Sequence, residues 1–172
     1  MSDPLLPFDP IAEARRQWEA HGWAEAADGM AAVTSVMRAH QIMQARVDDV
    51  LRPLRLTFAR YELLMLLHFS RSGSLPMTRA SQRLQVHPTS VTNAVDRLEA
   101  AGLVRRSPHP TDGRGVLVEI TQQGRDIGVA ATERLNADVF VAPGLPPRRL
   151  AGLLSSLTEL RRRAGDFRSA SG

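Results

Sequence analysis

Between Pro88 and Leu98 the chain reads PTSVTNAVDRL. Its polar members Thr89, Ser90, Thr92 and Asn93 carry short hydrogen-bonding side chains, and Arg97 follows them. Val91, Ala94, Val95 and Leu98 fall at i, i+3, i+4 and i+7, so a helix here has one apolar face and projects the polar set elsewhere. Short donors and acceptors at a helix N-terminus can approach base edges, while the free N–H groups and the helix dipole favour a phosphate. Arg97 reads as a phosphate clamp. A second reactive stretch follows at residues 105–121, RRSPHPTDGRGVLVEIT, with Arg105, Arg106 and Arg114 around an Asp-Gly turn. Val116, Val118 and Ile120 share one strand face, so two strands joined by a proline-stiffened basic tip are expected. A protruding Arg114 suits a narrow minor groove, where negative potential is concentrated. Arg105 and Arg106 read either as groups facing a polyanion or as solvated strand charges. Asp112 would be repelled by phosphate, so its expected role is to orient the tip by pairing with an arginine.

The charge distribution agrees with these readings. All 22 basic residues among the 172 are arginine, so the high isoelectric point is largely a composition effect. Residues 71–125 hold eight arginines against four acids, a net of 8 − 4 = +4, and the remainder holds 14 of each, a net of zero. The excess thus sits in the central third, as a polyanion-binding surface requires.

Other chemistries find little support. The chain has no cysteine, which excludes disulfides, thiolate zinc sites and thiol-based redox sensing. Histidines at 21, 40, 68, 87 and 109 show no ligand spacing, so no metal is expected. There is no nucleophile–base arrangement, phosphate loop or paired-carboxylate motif, so neither catalysis nor a cofactor is expected. No apolar run approaches the roughly 18 residues of a membrane span, and no basic stretch precedes an apolar block at the start. The expected location is the cytoplasm, at the nucleoid, with no membrane partner.

The elements that must hold these residues can be placed from punctuation. Asp9 and Pro10 open a short helix that Gly22 stops, the core of an extension over residues 1–24. Residues 25–56 read as one long helix ended by Pro53, with Met30, Val33, Met37, Val47 and Leu51 as its apolar seam. Thr57 caps a helix that is apolar nearly all round, expected to be buried and closed by Gly73. Thr78 is the expected cap of the next helix, whose end Leu84 and Val86 pack, and Pro88 restarts the chain after a tight turn. That is helix-turn-helix punctuation. Gly102 stops the second helix and the hairpin follows, completing a lobe over residues 57–121. Residues 122–164 carry two more helices, the last with a stripe of Leu150, Leu153, Leu154, Leu157 and Leu160 that reads as a dimer seam. Residues 165–172 read as a flexible tail.

The run LQVHPTSVTNAVDRLEAAGLVRR and the pattern D-x-R-x-x-x-x-x-[LI]-T, here Asp112, Arg114, Ile120 and Thr121, resemble the MarR family of winged-helix regulators over roughly residues 25–163. The resemblance implies a mainly α fold with a small β-wing, a homodimer whose terminal helices interlock, and two lobes that bind operator DNA. It also implies, in many members, a small aromatic or anionic ligand that releases the DNA. His87 stands where the family commonly has a serine or similar cap, and residues 8–23 extend beyond the minimal pattern.

The expected DNA-facing set is Thr78, His87, Thr89, Ser90, Thr92, Asn93, Arg97, Arg105, Arg106 and Arg114. His40 and Gln44 interrupt the apolar seam of the long helix. They read either as polar groups satisfied across a dimer or as an effector site with Arg46, Tyr61 or His68. Trp18 and Trp23 read as packing residues of the extension, or as stacking groups for such a ligand. The expected function is a repressor bound to a pseudo-palindromic operator. The alternatives are an activator, or a winged helix serving protein or ligand binding without DNA. The polar outer face of residues 89–97 and the wing arginine speak against the last, since a protein-binding face is more often apolar.

Overall fold

The structure is a computed structural model and describes residues 6–109 and 115–167. The chain divides into two units, Met1–Ala131 and Thr132–Gly172.

In the first unit, Asp9 accepts a hydrogen bond from the Ile11 amide at 2.9 Å and so starts α1, Pro10–Ala20, with Pro10 at its first position. Gly22, at a φ of +85°, turns the chain into α2, Ala24–Leu51. Pro53 then breaks α2 into a single 3-10 turn, Arg52–Leu54. Thr57 caps α3, Phe58–His68, as its spacing predicts. Tyr61, Leu63, Leu64, Met65 and Leu67 of α3 are all buried, which makes it the centre of the lobe. The helix ends at His68 rather than at Gly73. Gly73 instead takes a left-handed φ of +68° and turns the chain into β1, Ser74–Pro76.

Helices α4, Met77–Leu84, and α5, Pro88–Ala100, form the helix-turn-helix pair. Pro76, not Thr78, precedes the first residue of α4, and no side chain caps it. Thr78 lies inside the first turn and is exposed. The turn between the helices is made by Gln85 in the left-handed region at a φ of +54°, and Ser81 Oγ donates to the Val86 carbonyl at 2.8 Å. Val86 does not pack the end of α4: its side chain is exposed.

Strands β2, Val104–Pro108, and β3, Val116–Ile120, pair antiparallel from Val104 opposite Ile120 to Pro108 opposite Val116. β1 adds to the other edge of β3, with Leu75 opposite Val118, giving the order β1-β3-β2. On the shared face of β3, Val118 and Ile120 are buried while Val116, next to the tip, is exposed. The core joins Leu51 of α2, Leu63, Leu64 and Leu67 of α3, Val91, Val95 and Leu98 of α5, and Val118.

The helix α6, Gln122–Leu135, passes into a π-helical turn, Asn136–Phe140. In the second unit Leu135 and Val139 are buried. The last helix, α7, Pro147–Arg163, has no buried residue among those described. No helix is long and apolar enough to cross a membrane among the described residues.

Candidate nucleic-acid interface

The two faces of α5 separate cleanly. Val91, Val95 and Leu98 are at most 1 % exposed, and they fix the helix against the core by about 1.5–3 kcal/mol for each fully buried side chain. Thr89, Ser90, Thr92, Asn93 and Arg97 are all exposed on the other side. Thr92 Oγ1 donates back to the Pro88 carbonyl at 3.1 Å, and Arg97 forms no ion pair with a described residue. The N-terminus of α5 is capped by His87, whose Nδ1 accepts from the Thr89 amide at 3.3 Å and lies 3.1 Å from Thr89 Oγ1. The imidazole thus takes the part a serine hydroxyl plays elsewhere.

The hairpin base is held to α5 by charge. Arg106 on β2 places its guanidinium against Asp96 and Glu99, and its backbone N–H donates to Glu99 Oε1 at 2.9 Å. Burial disfavours the charged guanidinium, but the bonds to Asp96 and Glu99 outweigh this and raise its pKa. Arg106, 29 % exposed, thus ties β2 to α5 through its guanidinium. Arg105 remains 73 % exposed but pairs its Nε with Glu119 at 2.6 Å, and Ser107 Oγ donates to the same carboxylate at 3.0 Å. These bonds, Arg105 first, hold the Glu119 carboxyl below its ordinary range.

Asp96 and Glu99 were not singled out by sequence reasoning. Their i, i+3 spacing places both on one side of α5, and this, with two arginines just past the Gly102 stop, is the signal that could have found the tie. Asp112 and Arg114 lie outside the described residues. Thr121, which closes the sequence pattern, has a plain structural role. Its hydroxyl donates to the Gly102 and Leu103 carbonyls at 2.8 and 3.1 Å and accepts from the Gly124 amide at 3.0 Å, which joins the end of β3 to the start of α6.

The effector candidates are spread over α1, α2, α3 and the turn after α1. His40 is exposed on α2, and Gln44 is half-buried with its amide donating to Asp48 at 2.9 Å. Their neighbours Val33 and Met37 are 62 and 64 % exposed, so the seam that the two residues interrupt is open within one chain. Arg46 is half-buried and Tyr61 buried, and each has a bonded partner. His68 is half-buried, and its Nδ1 is enclosed with no hydrogen-bond partner among the described residues. Trp18 and Trp23 meet edge to face at 5.4 Å, as packing residues do. None of these seven lines any of the three principal concavities. Among the described residues no group of three or more potential ligands could hold a metal ion. On α7, Leu150, Leu153 and Leu157 are half-buried, while Leu154 and Leu160 are each 57 % exposed.

A helix-turn-helix followed by a β-hairpin, with β1 from before the helix pair added to the hairpin's edge, is the winged-helix arrangement. The MarR family model matches residues 56–115. The chain is 48 % identical to the MarR family regulator Sco5413 of Streptomyces coelicolor, over 83 % of this chain and 99 % of that one, with a TM-score of 0.75. It is 32 % identical to the HTH-type transcriptional regulator YhbI of Bacillus subtilis, over 66 % of this chain and 77 % of that protein. It also resembles Sco3205, a MarR family regulator of S. coelicolor solved in complex with DNA, at 26 % identity over 82 % of this chain and 89 % of that one, with a TM-score of 0.65. The chain belongs to the MarR family of DNA-binding transcriptional regulators.

Proposed function

We propose that this protein is a dimeric repressor that reads a pseudo-palindromic operator through α5, and that a small aromatic or anionic ligand releases it. The observation that carries the reading is the outer face of α5. Five exposed polar side chains stand on a helix whose other face is locked into the core, with Asn93 able to make two hydrogen bonds to one adenine edge. Arg97 supplies a phosphate contact, and Arg114 of the wing enters the adjacent minor groove. The leucines of α7 and the open apolar side of α2 form the seam between protomers, which would bring His40 and Gln44 beside a second chain and enclose the effector there. Such a protein works at the nucleoid, in the cytoplasm.

Binding to the DNA upstream of its own coding region, measured by gel shift and then on a randomised site library, tests this. Asn93→Ala should lose about 1–3 kcal/mol of discrimination at one position in each half-site. Unaltered site preference in that variant removes α5 as the reader. For the effector, a thermal-shift screen of small aromatic acids should find a stabiliser whose effect His40→Ala blunts while leaving operator binding intact. A wild-type response in both His40→Ala and Gln44→Ala would move the effector site elsewhere.

A further inference from the structure

The first turn of α6 grips both edges of the sheet from which the hairpin rises. At Gly124 the absence of a Cβ lets the helix backbone lie against the Leu103 carbonyl, just before β2. At the next position Arg125 turns to the other edge. Its guanidinium lies over Gly73, just before β1, where a Cβ would overlap Nη2 and sit 3.3 Å from Cζ. A side chain at Gly73 is thus opposed twice, by a φ of +68° and by the planar group laid on it. The Gly73 carbonyl accepts from the Ile120 amide at 2.9 Å, so the residue under the guanidinium also fixes the base of β3. Arg125 is half-buried, and a positive charge in the first turn of a helix opposes the helix dipole. Local helix chemistry therefore does not account for the arginine, and its contact at the sheet edge does.

Both other strands pair with β3, so its base carries the hairpin. Val116, at the tip end of β3, lies about 14 Å along the strand from Ile120. A tilt of about 8° at the base therefore moves the tip end by about 2 Å, well beyond the roughly 0.5 Å within which a binding group is held in register. We propose that Arg125 is a positioning residue for DNA binding: laid flat on Gly73, it fixes the angle at which the wing leaves the lobe and touches no DNA itself. The planar shape of the head group carries this role, and its charge does not; a lysine ammonium is compact and strongly hydrated and does not replace it. The inference rests on the reading of the wing as a DNA contact.

The test uses the full-length protein with R125M, R125K, G73N and the double variant G73N/R125M, each shown by thermal melt to be folded at the assay temperature. Asparagine accepts a left-handed φ better than other side chains, so Gly73→Asn displaces the guanidinium while sparing the turn. Amide hydrogen exchange, followed by NMR on the free protein, reads the base of the wing. In R125M, R125K and G73N the Ile120 amide should exchange about tenfold faster, while the Thr121 amide, bonded to the Leu103 carbonyl at the other edge, keeps its wild-type rate. Affinity for a DNA duplex, measured by fluorescence anisotropy, should fall about tenfold in all three, as for the loss of one groove contact. The double variant should lose no more than either single one, because both remove the same contact. Wild-type affinity in R125K beside a loss in R125M makes the charge the active part and overturns the proposal. An Ile120 amide at its wild-type rate in R125M and G73N overturns it too, as does a double variant whose loss is the product of the two. Faster exchange with unchanged DNA affinity, where Arg114→Ala does weaken binding, leaves Arg125 a role in the fold alone and overturns its positioning role. An Arg114→Ala protein that binds like wild type overturns the wing reading instead, and the role of Arg125 in DNA binding falls with it.

Discussion

Replacing Arg106 with glutamine should weaken the fold and loosen DNA binding without removing a phosphate contact. The guanidinium, 29 % exposed, bonds to Asp96 at 58 % exposure and to Glu99 at 38 %. The Asp96 bond is nearly a surface pair, worth about 0.5 kcal/mol. The Glu99 bond is charge-assisted and better shielded, worth about 1.5 kcal/mol. The expected loss is about 2 kcal/mol, or about 4–8 °C in melting temperature for a chain of this size. Glu99→Gln should cost a similar amount, and the double variant less than the sum of the two, because both remove one shared bond. Circular dichroism melts supply the stability. Anisotropy in a salt series should then show Arg106→Gln with reduced DNA affinity, as the wing loses its alignment to α5, but with the wild-type salt slope. An unchanged melt together with a slope reduced by about 0.9 would refute the tie and return Arg106 to the DNA surface.

Arginines placed at Leu153 and Leu157 should yield a monomer by light scattering and abolish operator binding, while a wild-type protein that is itself monomeric at micromolar concentration would contradict the proposed dimer. Gly124→Ala should destabilise by 2 kcal/mol or more in urea titration, because a Cβ there overlaps the Leu103 carbonyl oxygen and presses on Ile120, both part of the sheet base and unable to yield cheaply; a neutral result would mean that α6 can shift its first turn. Because the folded pKa of Glu119 lies below its unfolded value, its pairing stabilises the protein above the ordinary carboxylate range and that contribution disappears as pH falls through the folded value. Arg105→Gln should therefore flatten the fall in urea midpoint below about pH 4.3, by under about 1 kcal/mol since Arg105 is largely exposed.

The parts of the molecule legible in the sequence are those fixed by local chemistry. Asp9 and Thr57 are caps that act within three residues, and the spacing of Val91, Val95 and Leu98 states which side of α5 is buried without reference to anything else. What escaped depends on distant pairing. β1 is three residues long and exists only because Leu75 meets Val118, more than forty positions away, so no period could reveal it. Arg106 looked like its neighbour Arg105 because their partners lie on α5 and on β3 respectively, and only the sheet register decides which arginine turns toward which. Thr78 matched a cap by type, but Pro76 already supplies the entry to α4, at φ −59° and ψ 140°, and the helix starts two residues earlier than that cap requires. The leucine stripe of α7 was visible as a pattern, whereas its exposure within one chain is a property of the folded molecule alone.

The cap at the head of α5 is a ring with two nitrogens, only one of which it uses. Nδ1 of His87 accepts from the Thr89 amide as a bare lone pair, which puts the ring N–H on Nε2. A serine hydroxyl in that place would spend its one oxygen on the helix, whereas the exposed imidazole closes the first turn and still holds out a donor. The residue that starts the reading helix is thereby also equipped to touch whatever the helix reads.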